Sequence, residues 1–379
     1  MRFRCERDVL VEALGTAQRA VTNRNASLPV LAGVRLELVG ELLKVTGTDL
    51  DLFLQVQCAV VGDADGVAVV PARLAAEIVR ALEPGMVTVE ATEDEVRISS
   101  GRASFSVRSY AAPDFPKVPT PAGGGVTLPA AVLAEALRQV VRAASTDDGV
   151  PIITGVLLTS EGGGLRLVAT DKYRLAMRDI PGVDVLSPGQ QVLIPARALG
   201  ELQRLLPSAM PATPVEGEAP GVGQVTMRLG EQEATFEIGT TRFTTRLIPG
   251  TFPDYRQLIP SGQRNTLQIG REPLLEALRR VKLLVRDTIT NVRVHLKADG
   301  ITLTVASADV GTATEDVDAK YEGEDMVVAF NPAYLIDGLE AISGDEVLLQ
   351  AQDKIKPATI TSADPTTSAY LYLLMPVRV

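Results

Sequence analysis

The sequence predicts an α+β protein made of three similar domains in tandem. Two recurring phrases and one recurring helix predict it. The stretches "VVPARLAAEIVRAL" (69–82) and "VLIPARALGELQRLL" (192–206) both lead a strand through Pro-Ala-Arg into a helix. Arg73, Glu77 and Arg80 in one match Arg197, Glu201 and Arg204 in the other, and positions i, i+4 and i+7 share a helix face. A third, weaker copy is "VVAFNPAYLIDGLEAI" (327–342). An alternating strand, a turn at Thr-Asp or Ala-Asp, and a second strand recur at 42–56, 165–179 and 301–316. Finally, an amphipathic helix opens each copy.

The elements follow in order. The opening helices are expected at 7–21, 129–143 and 271–285, and the second helices at 71–82, 195–206 and 332–342. Pro71 and Pro195 suit the first helical position, where a missing N–H costs nothing. Pro129 and Pro273 also stand near helix starts. "FSVRSYAAPDFPKVP" (105–119) matches "FTTRLIPGTFPDYRQLIP" (243–260), and "AYLYLLMPVRV" (369–379) closes the third copy. Pro and Gly interrupt the pattern at 118–129 and 257–270, which sets domains at 1–120, 121–256 and 257–379. Each has the length of a domain and exceeds any solenoid repeat. Residues 208–224 read as a surface loop inside the second domain.

Composition narrows the function. The 379 residues are 46% hydrophobic and 22% charged, with few aromatics and a net charge of −10. Aliphatic side chains must fill the cores, and an acidic surface repels a phosphate backbone unless the sign reverses locally. Cys5 and Cys58 form no metal or redox motif and read as reduced thiols. The start "MRFRCERDVLVEAL" has no apolar signal core, and no apolar run could span a membrane, so the expected location is the cytoplasm.

No catalytic constellation is expected, and no metal or cofactor. The single histidine, His295, alternates with Val292, Val294 and Leu296 on a strand and reads as a satisfied strand residue. The glycines at 123–125 and 162–164 lie in a linker and a strand turn. Asp49, Asp171 and Asp309 occupy the same place in each copy, which suits a turn device bonding its own backbone rather than acid–base chemistry. The six helices together carry +3 while the rest of the chain carries −13. That points to an acidic protein with one mildly basic, helix-lined face, able to sit near phosphates without gripping them.

The Pro-Ala-Arg junctions, "TGTDL", "VATDKYRLA", the turns "DFPKVP" and "TFPDYRQLIP", and the terminal "YLLMPVRV" resemble the bacterial sliding clamps, the β subunits of DNA polymerase III. The resemblance runs from Met1 to Val379. It implies the DNA-clamp fold, with helices lining the inner face, antiparallel sheets outside, and two chains closing head to tail into a ring-shaped homodimer. Double-stranded DNA is then held topologically and without regard to sequence. The DNA-facing residues implied are Arg24, Arg73, Arg80, Arg138, Arg142, Arg197, Arg204 and Arg279. Phe105 and Val107 are implied to meet Leu283 and Leu284 across the dimer interface.

The resemblance also implies a peptide groove for a motif of the type Gln-Leu-x-Leu-Phe. Its partners are the replicative polymerase, the clamp loader, repair polymerases, and mismatch-repair or ligase proteins. The implied groove residues are Ile153, Thr170, Lys172, Tyr173, Arg174, Leu175, Pro253, Gln257, Leu258, Ile289, Asn331, Tyr334, Ile355, Pro357, Leu373, Leu374, Met375, Pro376, Val377 and Arg378. Lys172 and Tyr173 stand where relatives often carry Gly-His, and Ile289 where an aromatic is common. An alternative is a paralogue that keeps fold and groove but serves as a non-replicative scaffold or an inhibitor-resistance copy.

Overall fold

The computed structural model describes residues 1–21, 28–121, 123–209, 223–286, 290–307, 309–367 and 369–378. Arg24, Ile289 and most of the expected loop at 208–224 lie outside them. The first copy runs β1 (Arg2–Glu6), α1 (Arg7–Ala17), β2 (Gly33–Val39), β3 (Leu42–Thr48), β4 (Leu52–Ala59), β5 (Val61–Ala64), β6 (Gly66–Pro71), α2 (Ala72–Ala81), β7 (Met86–Ala91), β8 (Glu95–Ser100) and β9 (Ala103–Arg108). The second runs β10 (Gly125–Pro129), α3 (Ala130–Val140), β11 (Gly155–Glu161), β12 (Gly164–Thr170), β13 (Arg174–Pro181), β14 (Gln191–Pro195), α4 (Ala196–Leu205), β15 (Gln224–Leu229), β16 (Glu233–Ile238) and β17 (Thr241–Arg246). The third runs β18 (Asn265–Gly270), α5 (Arg271–Val281), β19 (Val292–Lys297), β20 (Gly300–Ser307), β21 (Gly311–Val317), β22 (Ala319–Glu322), β23 (Met326–Phe330), α6 (Pro332–Ala341), β24 (Glu346–Ala351), β25 (Ala358–Ser362) and β26 (Tyr370–Leu374).

All six expected helices form. The three opening helices each tighten into a short 3₁₀ turn at the C-terminal end, at 18–20, 141–143 and 282–284. In α2 the residues Ala72, Ala75, Ala76, Ile78 and Val79 are buried, the spacing of one helix face. On the open face Arg73 Nε donates to Glu77 Oε1 at 2.8 Å. Pro71 and Pro195 lie one residue earlier than expected. Each ends a strand, and Pro71 takes the cap position because it still faces Gly33 across the β2–β6 ladder.

The chain forms two compact units: residues 1–131 with 204–247, and residues 132–203 with 248–379. The first unit holds a five-stranded sheet, β5-β1-β7-β8-β9, and an eight-stranded sheet, β10-β15-β16-β17-β4-β3-β2-β6. The second holds a nine-stranded sheet, β14-β11-β12-β13-β26-β25-β24-β18-β22, and a four-stranded one, β21-β20-β19-β23. Each large sheet therefore has a seam where strands of two successive copies pair. At one, Leu52 faces Thr245 and Leu54 faces Phe243. At the other, Arg174 faces Leu374 and Ala176 faces Tyr372. Leu52 and Arg174 are equivalent in the repeat, so both seams use one register.

The turn that feeds each seam is built alike. Asp49 Oδ1 accepts from the backbone N–H groups of Asp51 (3.2 Å) and Leu52 (2.8 Å), and Thr48 Oγ1 accepts from Leu50 N–H. Asp171 Oδ1 accepts from Tyr173 and Arg174 N–H, both at 3.0 Å, and Thr170 Oγ1 from Lys172 N–H. Asp49 and Asp171 thus act as turn devices. Both thiols are free, and burial pushes Cys5 up to about 12 and Cys58 up to about 11, which keeps them protonated and inert at neutral pH.

Candidate functional site

Four of the apolar groove candidates come together in the second unit. Ile153, Leu175 and Leu373 share a buried cluster with Leu157, Val168, Leu193, Phe252 and Tyr255, and Met375 packs against it. The β13–β26 seam assembles it, by setting Leu175 opposite Leu373 and by carrying the tail past β13, where Met375 N–H donates to Tyr173 C=O at 2.9 Å. Leu374 is fully buried. Phe252 and Tyr255 belong to the same cluster and were not singled out from sequence; the "FPDY" phrase that holds them was read only as a turn. Tyr255 opens a 3₁₀ turn, Tyr255–Leu258, whose preceding Asp254 side chain accepts from Arg256 N–H.

Around this cluster the other candidates are exposed to varying degrees. Pro253, Gln257, Leu258, Lys172, Tyr173 and Ile355 are exposed, Tyr173 at 61% and Ile355 at 56%. Pro357, Pro376 and Val377 are half-buried, and Arg378 is exposed. Apolar side chains this open beside a buried apolar floor form a surface that an extended, partly apolar ligand could cover.

The polar candidates are mostly committed within the protein. Arg174 is 9% exposed. Its Nε donates to Asp171 Oδ2 (2.9 Å), Nη1 to Asp337 Oδ2 (2.6 Å) and Nη2 to the Arg142 carbonyl (2.6 Å). Its guanidinium also lies 4.3 Å from the Tyr334 ring centroid. Thr170 Oγ1 donates to the Arg174 carbonyl at 2.7 Å. Asn331 caps α6 by accepting from Ala333 and Tyr334 N–H. Tyr334 C=O accepts from Tyr372 OH at 2.8 Å. These residues hold the walls; sequence could not show this because their partners lie up to 163 positions away.

The arginines expected to face DNA divide in two. Arg73, Arg80, Arg142, Arg197, Arg204 and Arg279 are exposed. Arg138 is half-buried and occupied: it pairs with Glu135 and donates to the Glu340 and Ala341 carbonyls at the end of α6, as a helix C-terminal cation does. Glu340 lies between Arg142 and Arg279, 2.9 Å from each, and their hydrogen bonds hold its carboxyl below the usual range. Of the interface candidates, Phe105 is 41% and Leu283 73% exposed, Leu284 is half-buried, and Val107 is buried. β9 and β21, which carry or adjoin them, are edge strands. His295 is half-buried on β19, paired with Thr302 and Val327 as a strand residue, but its ring makes no hydrogen bond among the described residues. No cluster of three or more His, Cys, Asp or Glu suited to a metal occurs among the described residues. No described helix is long and apolar enough to cross a membrane.

Comparison with known proteins agrees with this architecture along the whole chain. Three family models match in order: the N-terminal domain of the DNA polymerase III beta subunit at residues 1–119, its central domain at 127–254 and its C-terminal domain at 256–378. The beta sliding clamp of Streptomyces coelicolor is 32% identical over 100% of this chain and 99% of its own. The crystal structure of the sliding clamp from Bartonella birtlesii, bound to griselimycin, covers both chains fully at 31% identity with a TM-score of 0.90. The sliding clamp of Bacillus subtilis superposes with a TM-score of 0.91 at 27% identity, covering 100% of this chain and 99% of that one. The chain belongs to the β sliding clamp family, the β subunits of bacterial DNA polymerase III.

Proposed function

We propose that two copies of this chain close head to tail around duplex DNA in the cytoplasm and act as a processivity clamp. The Ile153–Leu175–Leu373–Met375 surface then receives short motifs from the replicative polymerase, the clamp loader, and repair or ligase proteins. The observation that carries this reading is the unfilled third seam. Within the chain, β17 pairs with β4 and β26 with β13 in one register. By the same repeat, β9 is the equivalent of β17, and β21 of β4, yet both are open edges. An unpaired edge invites another strand. A second chain supplies it, Phe105 falling opposite Thr314 and Val107 opposite Thr312, and the five- and four-stranded sheets merge.

Charge favours the same pairing. Exposed Arg102 precedes β9 and exposed Arg108 ends it. A cleft of about 490 Å³ beside β21 is lined by Glu272, Glu276, Asp316 and Asp318, with Arg280 bound to Glu315. Such complementarity orients association. Exposed Arg73 and Arg80 on α2 and Arg197 and Arg204 on α4 supply mild positive charge; a topological ring needs no more, since tight grip opposes sliding. Family membership supports an accessory, non-catalytic role. That a relative binds griselimycin supports a ligand-accepting surface in this family.

The test is retention on DNA. Loaded onto nicked circular duplex, the protein stays bound and is released when the circle is cut. Retention indifferent to topology would refute the clamp reading. Sedimentation should give a dimer at micromolar concentration that Phe105→Ala with Leu284→Ala weakens. A Gln-Leu-Ser-Leu-Phe peptide should bind with Kd on the order of micromolar. Met375→Ala should weaken it at least about tenfold while the dimer persists.

A further inference from the structure

A second recess shares Ile355, Val377 and Arg378 with the groove candidates and gathers three cations among its described residues. It is a cavity of about 520 Å³ lined by Arg293, His295, Val327, Lys354, Ile355 and Arg378, with Ala329 and Val377 at its base. The fold places these together for a plain reason. Along β19 alternate residues face outward, so Arg293 and His295 share one side, and across the ladder they stand opposite Ala329 and Val327 of β23. The chain end is pinned over this side by Val377 N–H donating to Ala329 C=O at 2.8 Å, which brings Arg378 to the rim. The loop after β24 brings Lys354 and Ile355; its Asp353 is turned to the loop's own backbone, accepting from Ile355 and Lys356 N–H.

Among the described residues no carboxylate lines the recess. The side chains of Arg293, Lys354 and Arg378 make no ion pair or hydrogen bond among the described residues, and the His295 ring has none either. Three cations around an apolar floor, with their donors unspent, form a receptor for an anion attached to something partly apolar. We propose that this recess binds acidic residues that flank the clamp-binding motif of a partner protein, an inference that rests on the groove reading above. Shared residues select a peptide: Ile355 and Arg378 belong to both the groove candidates and the recess, so one extended chain would cover both. Val327, exposed at 42%, and Ile355 give its aliphatic parts a surface to cover. A nucleic-acid strand would call for a longer basic track and stacking aromatics, and the lining contains neither.

The effect expected is mainly electrostatic, strongest at low salt. The experiment measures three labelled peptides by fluorescence anisotropy: the Gln-Leu-Ser-Leu-Phe core, and the core extended by Asp-Asp-Glu at either its N- or its C-terminal end. Wild-type protein should bind one extended peptide at least about fivefold more tightly than the core at 50 mM salt. The gain should fall at 500 mM salt, and vanish in Arg293→Ala with Lys354→Ala, a variant that binds the core peptide as the wild type does. If the core itself does not bind, the groove reading fails. If the core binds and neither extension gains, or if a Lys-Lys-Lys extension gains equally, this proposal is overturned. A labelled oligothymidine whose binding is lost in the double variant, with no gain from either acidic peptide, would also overturn it and assign the recess to nucleic acid.

Discussion

The turns at 48–52 and 170–174 are the same object used for two ends. In both, a threonine hydroxyl and an aspartate oxygen bond three backbone N–H groups and aim a strand into a seam. In both, the residue after the aspartate is forced to positive φ, 83° at Leu50 and 81° at Lys172. They part at one position. The first turn ends in Leu52, an apolar residue buried in the sheet; the second ends in Arg174, which reaches Asp337 on α6 and the Arg142 carbonyl. The repeat fixes the backbone, and one side chain decides whether the turn is only a corner or the anchor of a candidate binding wall.

Giving the second turn the first one's side chain tests this most severely. Arg174→Leu keeps the turn's backbone bonds but leaves Asp171 without its cation and Asp337 with only Arg142, 3.8 Å away. Breaking a largely buried pair from one side costs about 3 kcal/mol. Thermal denaturation should show the loss, and the core peptide should bind more weakly, because Tyr173 C=O, which holds Met375, is the next residue. In an Asp337→Ala background the same substitution should cost less; strictly additive losses would show that the two side chains do not act as a pair.

Removing the aspartates comes next. Asp49→Ala deletes two side-chain-to-backbone bonds, worth about 1–2 kcal/mol. Asp171→Ala deletes two such bonds and also strips Arg174 Nε of its acceptor, which adds about 1 kcal/mol to the cost of the turn bonds. Denaturant melts of Asp171→Ala in the wild-type and the Arg174→Leu backgrounds check that increment. Equal losses in the two backgrounds would mean that Arg174 gains nothing from Asp171.

The turns also mark how far the sequence could be read. Thr-Asp at a strand end, helices spaced by apolar positions, and the three-fold phrase were all local signals, and the structure contains each of them. The seams were not legible, because a seam is a pairing between copies and leaves no trace in either strand alone. For the same reason Arg174, Thr170 and Asn331 looked available for a ligand, whereas their donors and acceptors are taken up by Asp337, the Arg174 carbonyl and the start of α6. His295 misled in the opposite direction: alternation placed it on a strand correctly but could not tell that its outward neighbours are cations and aliphatics. Nor could the sequence show that Lys172 sits at a backbone angle of 81°, one that glycine adopts without strain.

That angle supplies a smaller test. Lys172 is exposed, so its side chain contributes little packing. A non-glycine residue at positive φ is strained by about 1–2 kcal/mol, and glycine loses about 0.5–1 kcal/mol through extra freedom in the unfolded chain. Lys172→Gly should therefore raise stability by about 0.5–1 kcal/mol and leave peptide affinity within about twofold. A lowered melting temperature would show that Lys172 makes an interaction worth more than the strain it bears.

Leu50→Gly relieves the same backbone strain in the other turn but should not stabilise. Leu50 is half-buried and packs against the cluster of Val30, Leu31, Val69 and Phe115. Full burial of a leucine is worth about 1.5–3 kcal/mol, so partial burial forfeits about 1 kcal/mol when the side chain is removed. Strain relief and lost packing then nearly cancel, and the melting temperature should move by no more than a degree or two. The contrast between the two glycine variants is informative because their backbones match. A gain at Leu50 as large as that at Lys172 would mean that the leucine contributes nothing to its cluster. A clear loss at both sites would mean that the turn, held by its threonine and aspartate, does not strain the residue between them.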